Sequence, residues 1–201
     1  MFKDIQIETG RLIIKPFKME DDIALQKIVS QPEVVHYLPE DVMSLDEVRH
    51  ILTWFQTCYE RNTPDNIIKW TLGVWLKSEA LDSGLRRNDA EGGCVGENEL
   101  RLIGWAGIGP WEPDETEIEL FYGFGKEHWG KGFATEAAQA VMDYAFDKIG
   151  LKRLIAVANP ENIGSVRVLE KIGMKFEKIL NGMPQQFSND EGSHFFVMMR
   201  S

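Results

Sequence analysis

The residues from which metal centres and covalent frameworks are built are scarce in this sequence. Its two cysteines, Cys58 in a helical pattern and Cys94 in a glycine-rich stretch, make neither a disulfide framework nor a thiolate cluster. The four histidines, His36, His50, His128 and His194, stand far apart in the chain, so no metal site is expected. Nowhere is there a run of about 18 apolar residues able to span a bilayer, and the segment from Met1 to Gly10 carries Lys3, Asp4 and Glu8 where a secretory signal would be apolar. A cytoplasmic protein without a membrane partner is expected. Basic residues are outnumbered, 22 Lys and Arg against 32 Asp and Glu, for a net charge of −10. Such a field repels phosphate polymers, which excludes nucleic acid as the expected partner, and favours cationic ones.

What remains is ordinary globular material, 201 residues of which 43% are hydrophobic and 27% charged. At about 100–200 residues per domain the expectation is a single domain over residues 1–201. Arg11 to Phe17 reads as a strand and Met19 to Ser30 as a helix with acids in its first turn. Ser44 and Glu47 form a capping box, after which Val48, Ile51, Leu52, Phe55 and Tyr59 recur at helical spacing. Two strand-like runs follow, Ile68 to Lys77 and Leu100 to Gly109, expected to be antiparallel neighbours. The stretch between them, 78–98, is long against a median of about 4–6 residues for connections in compact domains. Within it Leu81 to Asp89, LDSGLRRND, resembles a translated bacterial interspersed palindromic repeat, which would make the loop an in-frame insertion, the alternative being a long surface hairpin loop. The rest alternates: strand Thr116 to Phe124, helix Gly132 to Ile149, strand Arg153 to Ala158, helix Asn162 to Ile172, and strands near Met174 to Leu180 and Phe195 to Arg200.

The most informative segment is Gly125 to Glu136, GKEHWGKGFATE, where a strand hands over to a helix. Glycines at 130 and 132 let the backbone turn sharply and a ligand approach, and the free N–H groups at the start of the next helix favour an anion, expected to be a phosphate. The same residues nearly match a nucleotide-binding loop, with Gly125, four residues, Gly130 and Lys131, but Gly132 stands where Ser or Thr would hold Mg²⁺. A Mg-nucleotide enzyme therefore ranks below other anion ligands.

Trp129-Gly130-Lys131-Gly132-Phe133-Ala134-Thr135-Glu136-Ala137, together with Asn162-Ile163-Gly164-Ser165 and the run to Gly173-Met174, resembles the acyl-CoA signature of the GNAT acetyltransferases, and more narrowly of the ribosomal-protein N-terminal (RimJ/RimL-like) branch. The likeness begins at Thr9-Gly10-Arg11-Leu12, passes through Ile103-Gly104-Trp105, and leaves out only the long loop. The usual phosphate-loop pattern of that superfamily is Arg or Gln, two residues, Gly, one residue, Gly or Ala. Trp129, Gly132 and Ala134 occupy those places, and Trp in the first is common in this branch.

The resemblance implies an α/β fold: a twisted, mixed, mostly antiparallel sheet of about seven strands flanked by helices, with the fourth and fifth strands splayed. It implies acetyl-CoA as co-substrate and no metal. Gly130, Lys131, Gly132, Phe133, Ala134 and Thr135, with Trp129, would hold the pyrophosphate, and Lys131 or Lys126 would add charge. Main-chain groups of Tyr122 and Phe124 would pair with pantetheine as an added strand does. The activity implied is transfer of an acetyl group to a primary amine in a ternary complex, the acceptor being a small-molecule amine or a protein N-terminus. A non-catalytic acyl-CoA-binding module is the alternative.

Transfer to an amine needs a proton acceptor and a partner for the departing thiolate. On the strand before the glycine turn, Glu117, Glu119, Phe121 and Gly123 share one face by period two. Glu119 is taken as the base over Glu117 because it matches the position where these enzymes often carry a glutamate. The tyrosine that many of them place on the helix after the fifth strand is here Leu169. The branch instead carries Asn, two residues, Ser, matched by Asn162 and Ser165, with the serine as thiolate partner. Neither oligomeric state nor the identity of the amine follows from these residues; Trp105, Trp111 and the region of Trp54 are candidates for shaping its pocket.

Overall fold

The computed structural model describes residues 2–38, 41–77 and 100–200. The 78–98 loop, with Cys94 and the LDSGLRRND peptide, lies outside them. Among the described residues the strands are β1 (Ile7–Glu8), β2 (Leu12–Pro16), β3 (Trp70–Leu76), β4 (Arg101–Trp111), β5 (Asp114–Phe124), β6 (Arg153–Ala158), β7 (Lys175–Ile179) and β8 (His194–Met199). The helices are α1 (Asp22–Val29), α2 (Pro32–Val35), α3 (Leu45–Arg61), α4 (Phe133–Tyr144) and α5 (Ile163–Lys171). One sheet runs in the order β1-β2-β3-β4-β5-β6-β8-β7. It has eight strands where about seven were expected, because the two residues of β1 pair with Ile13 and Ile14 of β2. The C-terminal strand β8 enters between β6 and β7 and pairs antiparallel with both.

Period-two burial accounts for the sheet and capping for the helices. Trp70, Leu72 and Val74 of β3 are fully buried on one face, where Trp70 meets Tyr144 at the end of α4 with ring centroids 5.4 Å apart. On the other face Trp75 packs on Phe17, which stacks on Phe55 of α3. Helix α3 starts at the expected capping box: the Glu47 N–H donates to Ser44 Oγ and the Ser44 N–H to the Glu47 carboxylate. The predicted helix over 19–30 is divided, with a 3₁₀ turn Met19–Asp21 before α1. The predicted helix over 132–149 also changes character, because after Tyr144 a π turn, Ala145–Ile149, closes on Gly150 in the left-handed region (φ +89°). Strands β4 and β5 extend to a tight hairpin in which Trp111 pairs with Asp114.

The helical layer over Trp75 is fastened to the sheet by one buried hydroxyl. Tyr59 Oη accepts from the Phe17 N–H at 3.2 Å and donates to the Thr71 carbonyl. Tyr59→Phe keeps the shape but strands the Phe17 N–H, so it should cost about 1–3 kcal/mol of stability, read as a lowered denaturant midpoint with unchanged slope.

Candidate active site

The central feature is a parting of strands. β5 and β6 are parallel and in register at one pair, Glu119 with Ile155. These are the strands expected to splay as fourth and fifth; the short β1 raises their numbers by one. The edge that opens beyond Glu119 carries defined groups. The Gly125 N–H donates to Ile103 O, which with the antiparallel register turns the main chain of Gly123 toward β4 and that of Tyr122 and Phe124 away from it, into the gap. One of these groups is already engaged: the Trp129 indole N–H donates to Phe124 O at 2.7 Å. Trp129, half-exposed, thus braces the turn against the end of β5, and the Phe124 carbonyl assigned to pantetheine from the sequence is bonded within the chain.

At the end of β5 the chain makes a short 3₁₀ turn, Lys126–His128, and then the glycine turn. Gly130 and Gly132 have φ of +72° and +79°, a conformation that side-chain-bearing residues avoid, and a Cβ at Gly130 would meet nothing within 4 Å. The first hydrogen bond of α4 runs from the Glu136 N–H to Gly132 O, so the N–H groups of Phe133, Ala134 and Thr135 precede the ladder and are its free first-turn donors. An anion can be received here by main-chain hydrogens and the positive end of the helix. The Lys131 side chain is exposed beside it. Lys126 faces another partner: its ammonium pairs with Glu33 of α2 at 2.6 Å, and its N–H donates to Gln31 Oε1. His128 is buried with neither ring nitrogen bonded among the described residues, and burial pushes its pKa down.

A strap from the N-terminal segment holds this turn. Glu136 Oε1 accepts from the Thr9 hydroxyl at 2.5 Å and the Arg11 N–H at 2.9 Å, while Oε2 accepts from Arg11 Nε at 2.7 Å. Arg11 Nη1 also donates to Lys131 O at 2.9 Å, and its guanidinium lies 4.5 Å from the Phe133 ring centre. Burial opposes ionisation of Glu136, but the hydrogen bonds from Thr9 and Arg11 outweigh it and hold its carboxyl below the usual range. Thr9 and Arg11, more than a hundred residues from Glu136 in the chain, become one ion-paired unit with it only through the fold.

The two glutamates of β5 are in different situations. Glu117 accepts from Arg153 Nε through both oxygens, at 3.0 and 2.9 Å. Glu119, at the point of splay, has no such partner. Burial raises its pKa from 4.5 to about 7. Lys69 opposes the rise and Asp190 and Glu112 add to it, while a hydrogen bond from the Val157 N–H favours the charged form. Lys69, whose stem lies over Gly109 and whose ammonium is 4.3 Å from the Phe121 ring centre, is a neighbour that the sequence did not suggest. Of the tryptophans, Trp111 is buried against Phe195 and donates to Asp190, Trp105 lies flat over Gly123, and Trp54 is exposed on α3. Trp111 is therefore part of a small second core.

Across the gap stands α5. Asn162 caps it, with Oδ1 accepting from the Ser165 N–H at 3.1 Å. The half-buried Ser165 hydroxyl does not turn back to the helix start; it lies 3.0 Å from Tyr122 Oη. Leu169 is buried, with 1% exposure, and offers no polar atom. Among the described residues no group of three or more His, Cys, Asp or Glu side chains is arranged to hold a metal ion, and no helix is long and apolar enough to cross a membrane. Cys58 is buried in α3.

This arrangement, a parallel pair splayed beside a glycine turn, is matched among known proteins. The acetyltransferase (GNAT) domain covers residues 11–175. The chain belongs to the GNAT acetyltransferase family. The uncharacterized N-acetyltransferase YnaD of Bacillus subtilis is 31% identical over 173 residues, 86% of this chain and 84% of that protein. A GNAT-family acetyltransferase from Bacillus anthracis superposes with a TM-score of 0.70 at 26% identity, covering 97% of this chain and 98% of the other. The spermidine N-acetyltransferase of Vibrio cholerae, solved with CoA and spermine, shares the fold at a TM-score of 0.65 and 17% identity, over 95% and 96% of the two chains. The protein is an acetyltransferase, and the Mg-nucleotide reading of its glycine turn is set aside.

The position of Glu119 has a consequence for stability. Its folded pKa of about 7 lies above the ordinary 4.5, so between these values the folded state binds more protons than the unfolded. Its contribution is fully present below about 4.5 and is lost as pH rises through about 7. Glu119→Gln should remove this part of the slope, so that in thermal melts the variant loses less stability than the wild type between pH 4.5 and 7.

Proposed function

We propose that this GNAT enzyme transfers the acetyl group of acetyl-CoA directly to a primary amine, with Glu119 accepting the amine's proton and Ser165 receiving the departing sulfur. The observation that carries the reading is the bordering of one β5–β6 gap by a helix N-terminus with left-handed glycines and by a strand that bears, on its two faces, a partly buried glutamate without an ion-pair partner and a tyrosine in contact with the Ser165 hydroxyl. The main-chain hydrogens of residues 130–135 would bind the diphosphate, with Lys131 adding charge at the surface. Tyr122 N–H and C=O and the Phe124 N–H would pair with the pantetheine amides, and Asn162 would fix the helix start that presents Ser165.

The chemistry follows from these positions. An acceptor amine arrives as an ammonium and must lose a proton before its lone pair can attack. Glu119, with a pKa near neutrality, is matched to that exchange, either directly or through water. Glu117 is already held by Arg153, which favours Glu119 as the base. Attack forms the C–N bond and places charge on the acetyl oxygen. Collapse breaks the C–S bond, the electron pair goes to sulfur, and the Ser165 hydroxyl is the donor nearest in role to that new charge. The nitrogen, made cationic by the attack, gives up its second proton and the thiolate takes one up by way of Ser165 and water, so that thiol and neutral amide are released. No covalent enzyme intermediate is required; Cys58 is buried in α3, away from the gap.

The match to Asn162 and Ser165, with Leu169 in place of a tyrosine, supports placement in the RimJ/RimL-like branch. The excess of acidic residues supports a cationic acceptor, either a small amine or a protein N-terminus, met in the cytoplasm.

Three measurements test the reading. CoA and acetyl-CoA should raise the melting temperature where ATP does so less, and Glu136→Gln, which releases the Arg11 strap, should weaken CoA binding about tenfold by calorimetry. Thiol release from acetyl-CoA in the presence of a panel of amines and peptide N-termini should rise with pH through a midpoint near 7. Glu119→Gln should abolish that limb and lower kcat by about 10²–10⁴. Failure of CoA to bind, or a Glu119→Gln enzyme with the wild-type profile, would overturn the assignment.

A further inference from the structure

The Tyr122 side chain has no part in the mechanism so far, yet its hydroxyl is the group that Ser165 touches. We propose that Tyr122 is a positioning residue for acetyl transfer: its phenol turns the Ser165 hydroxyl so that the serine hydrogen is presented to the departing sulfur. The inference rests on the reading of Ser165 given above.

The geometry allows a count of hydrogens. Tyr122 Oη is 3.0 Å from Ser165 Oγ and 3.2 Å from Ser165 O. A phenol has one hydrogen, and a serine hydroxyl has one hydrogen and two acceptor sites. Two arrangements place a hydrogen in the 3.0 Å contact between the hydroxyls. In the first, Tyr122 donates to the Ser165 carbonyl and Ser165 donates to Tyr122, which leaves only serine lone pairs facing outward. In the second, Tyr122 donates to Ser165 Oγ and the serine hydrogen is free. Only the second can hydrogen-bond an anion, so charge growing on sulfur selects it, and no proton leaves the phenol.

The surroundings support this division of work. Ile118, Leu120 and Phe124, its neighbours on that face of β5, are apolar, and Tyr122 pairs with Ala106 in β4. Burial raises the Tyr122 pKa well above the ordinary range, so the phenol keeps its hydrogen. The serine backbone is held independently by Asn162, which leaves the direction of the hydroxyl hydrogen as the one thing for Tyr122 to decide. Leu169, one turn further along α5, supplies no substitute.

The test uses two readouts on the full-length protein. In thiol-release kinetics Tyr122→Phe should lower kcat about tenfold and leave KM for acetyl-CoA within about twofold. Independently of any acceptor, titration of bound CoA by thiolate absorbance should show its thiol ionising about one pH unit higher in Tyr122→Phe than in the wild type. Ser165→Ala should shift both readouts in the same direction, and adding Tyr122→Phe to it should change neither further, because the phenol acts through the serine. Calorimetry with CoA confirms that each variant is folded. Wild-type values in Tyr122→Phe, or an equal loss on top of Ser165→Ala, would overturn the positioning role. A Ser165→Ala enzyme that matches the wild type in both would instead remove Ser165 from the sulfur and take the reading beneath this proposal with it, as would absence of CoA binding.

Discussion

The structure turns on two parallel strands that meet at one residue and then separate. A paired sheet consumes its main-chain donors and acceptors, whereas strands that part leave a row of them facing an opening whose walls are otherwise core. In this acetyltransferase the parting begins at Glu119. The same event exposes the edge of Tyr122 and Phe124, leaves a partly buried carboxylate without an ion-pair partner, and brings α5 close enough for Ser165 to reach Tyr122. Hydrophobic contacts keep the wedge open, since α4 packs on β4 and β5 through small residues such as Ala137 and Ala138, both fully buried.

Around that opening, ionic and polar contacts do the fastening. Arg11 and Thr9 converge on Glu136 and reach over Phe133 and Lys131, so the beginning of the described chain secures the glycine turn more than a hundred residues later. Trp129 ties the same turn to β5, and Lys126 ties it to α2 through Glu33. A loop whose N–H groups stay bare is not stabilised by bonding them, and these side chains supply the rigidity from outside.

Periodicity and punctuation made most of the fold legible. The capping box at Ser44, the apolar repeat after it, and the alternation along residues 116–124 each have one local physical meaning. What escaped were features without local signals: the two-residue β1, the π turn after Tyr144, and the insertion of β8 between β6 and β7, which depends on which edge remains free once β6 is placed. The site divides similarly. The glycine turn was readable because positive φ at two nearby positions demands glycine. The use of Lys126 as an ion-pair partner, the capture of the Phe124 carbonyl by Trp129, and the engagement of Glu117 by Arg153 were not, because each joins residues whose approach is set by packing.

By itself the sequence determined the elements, their α/β order, the anion-receiving turn and, through its resemblance to a family, the expected co-substrate. These rest on backbone preferences and periodic burial, which act within a few residues of each other. The tertiary structure alone decided which of two equivalent glutamates stays unpaired, which charges brace the loop, and that a tyrosine from one side of the gap meets a serine from the other. Solvation and pairing of a charged or polar group depend on neighbours distant in the chain, and their approach is fixed only when the whole sheet has closed around the core.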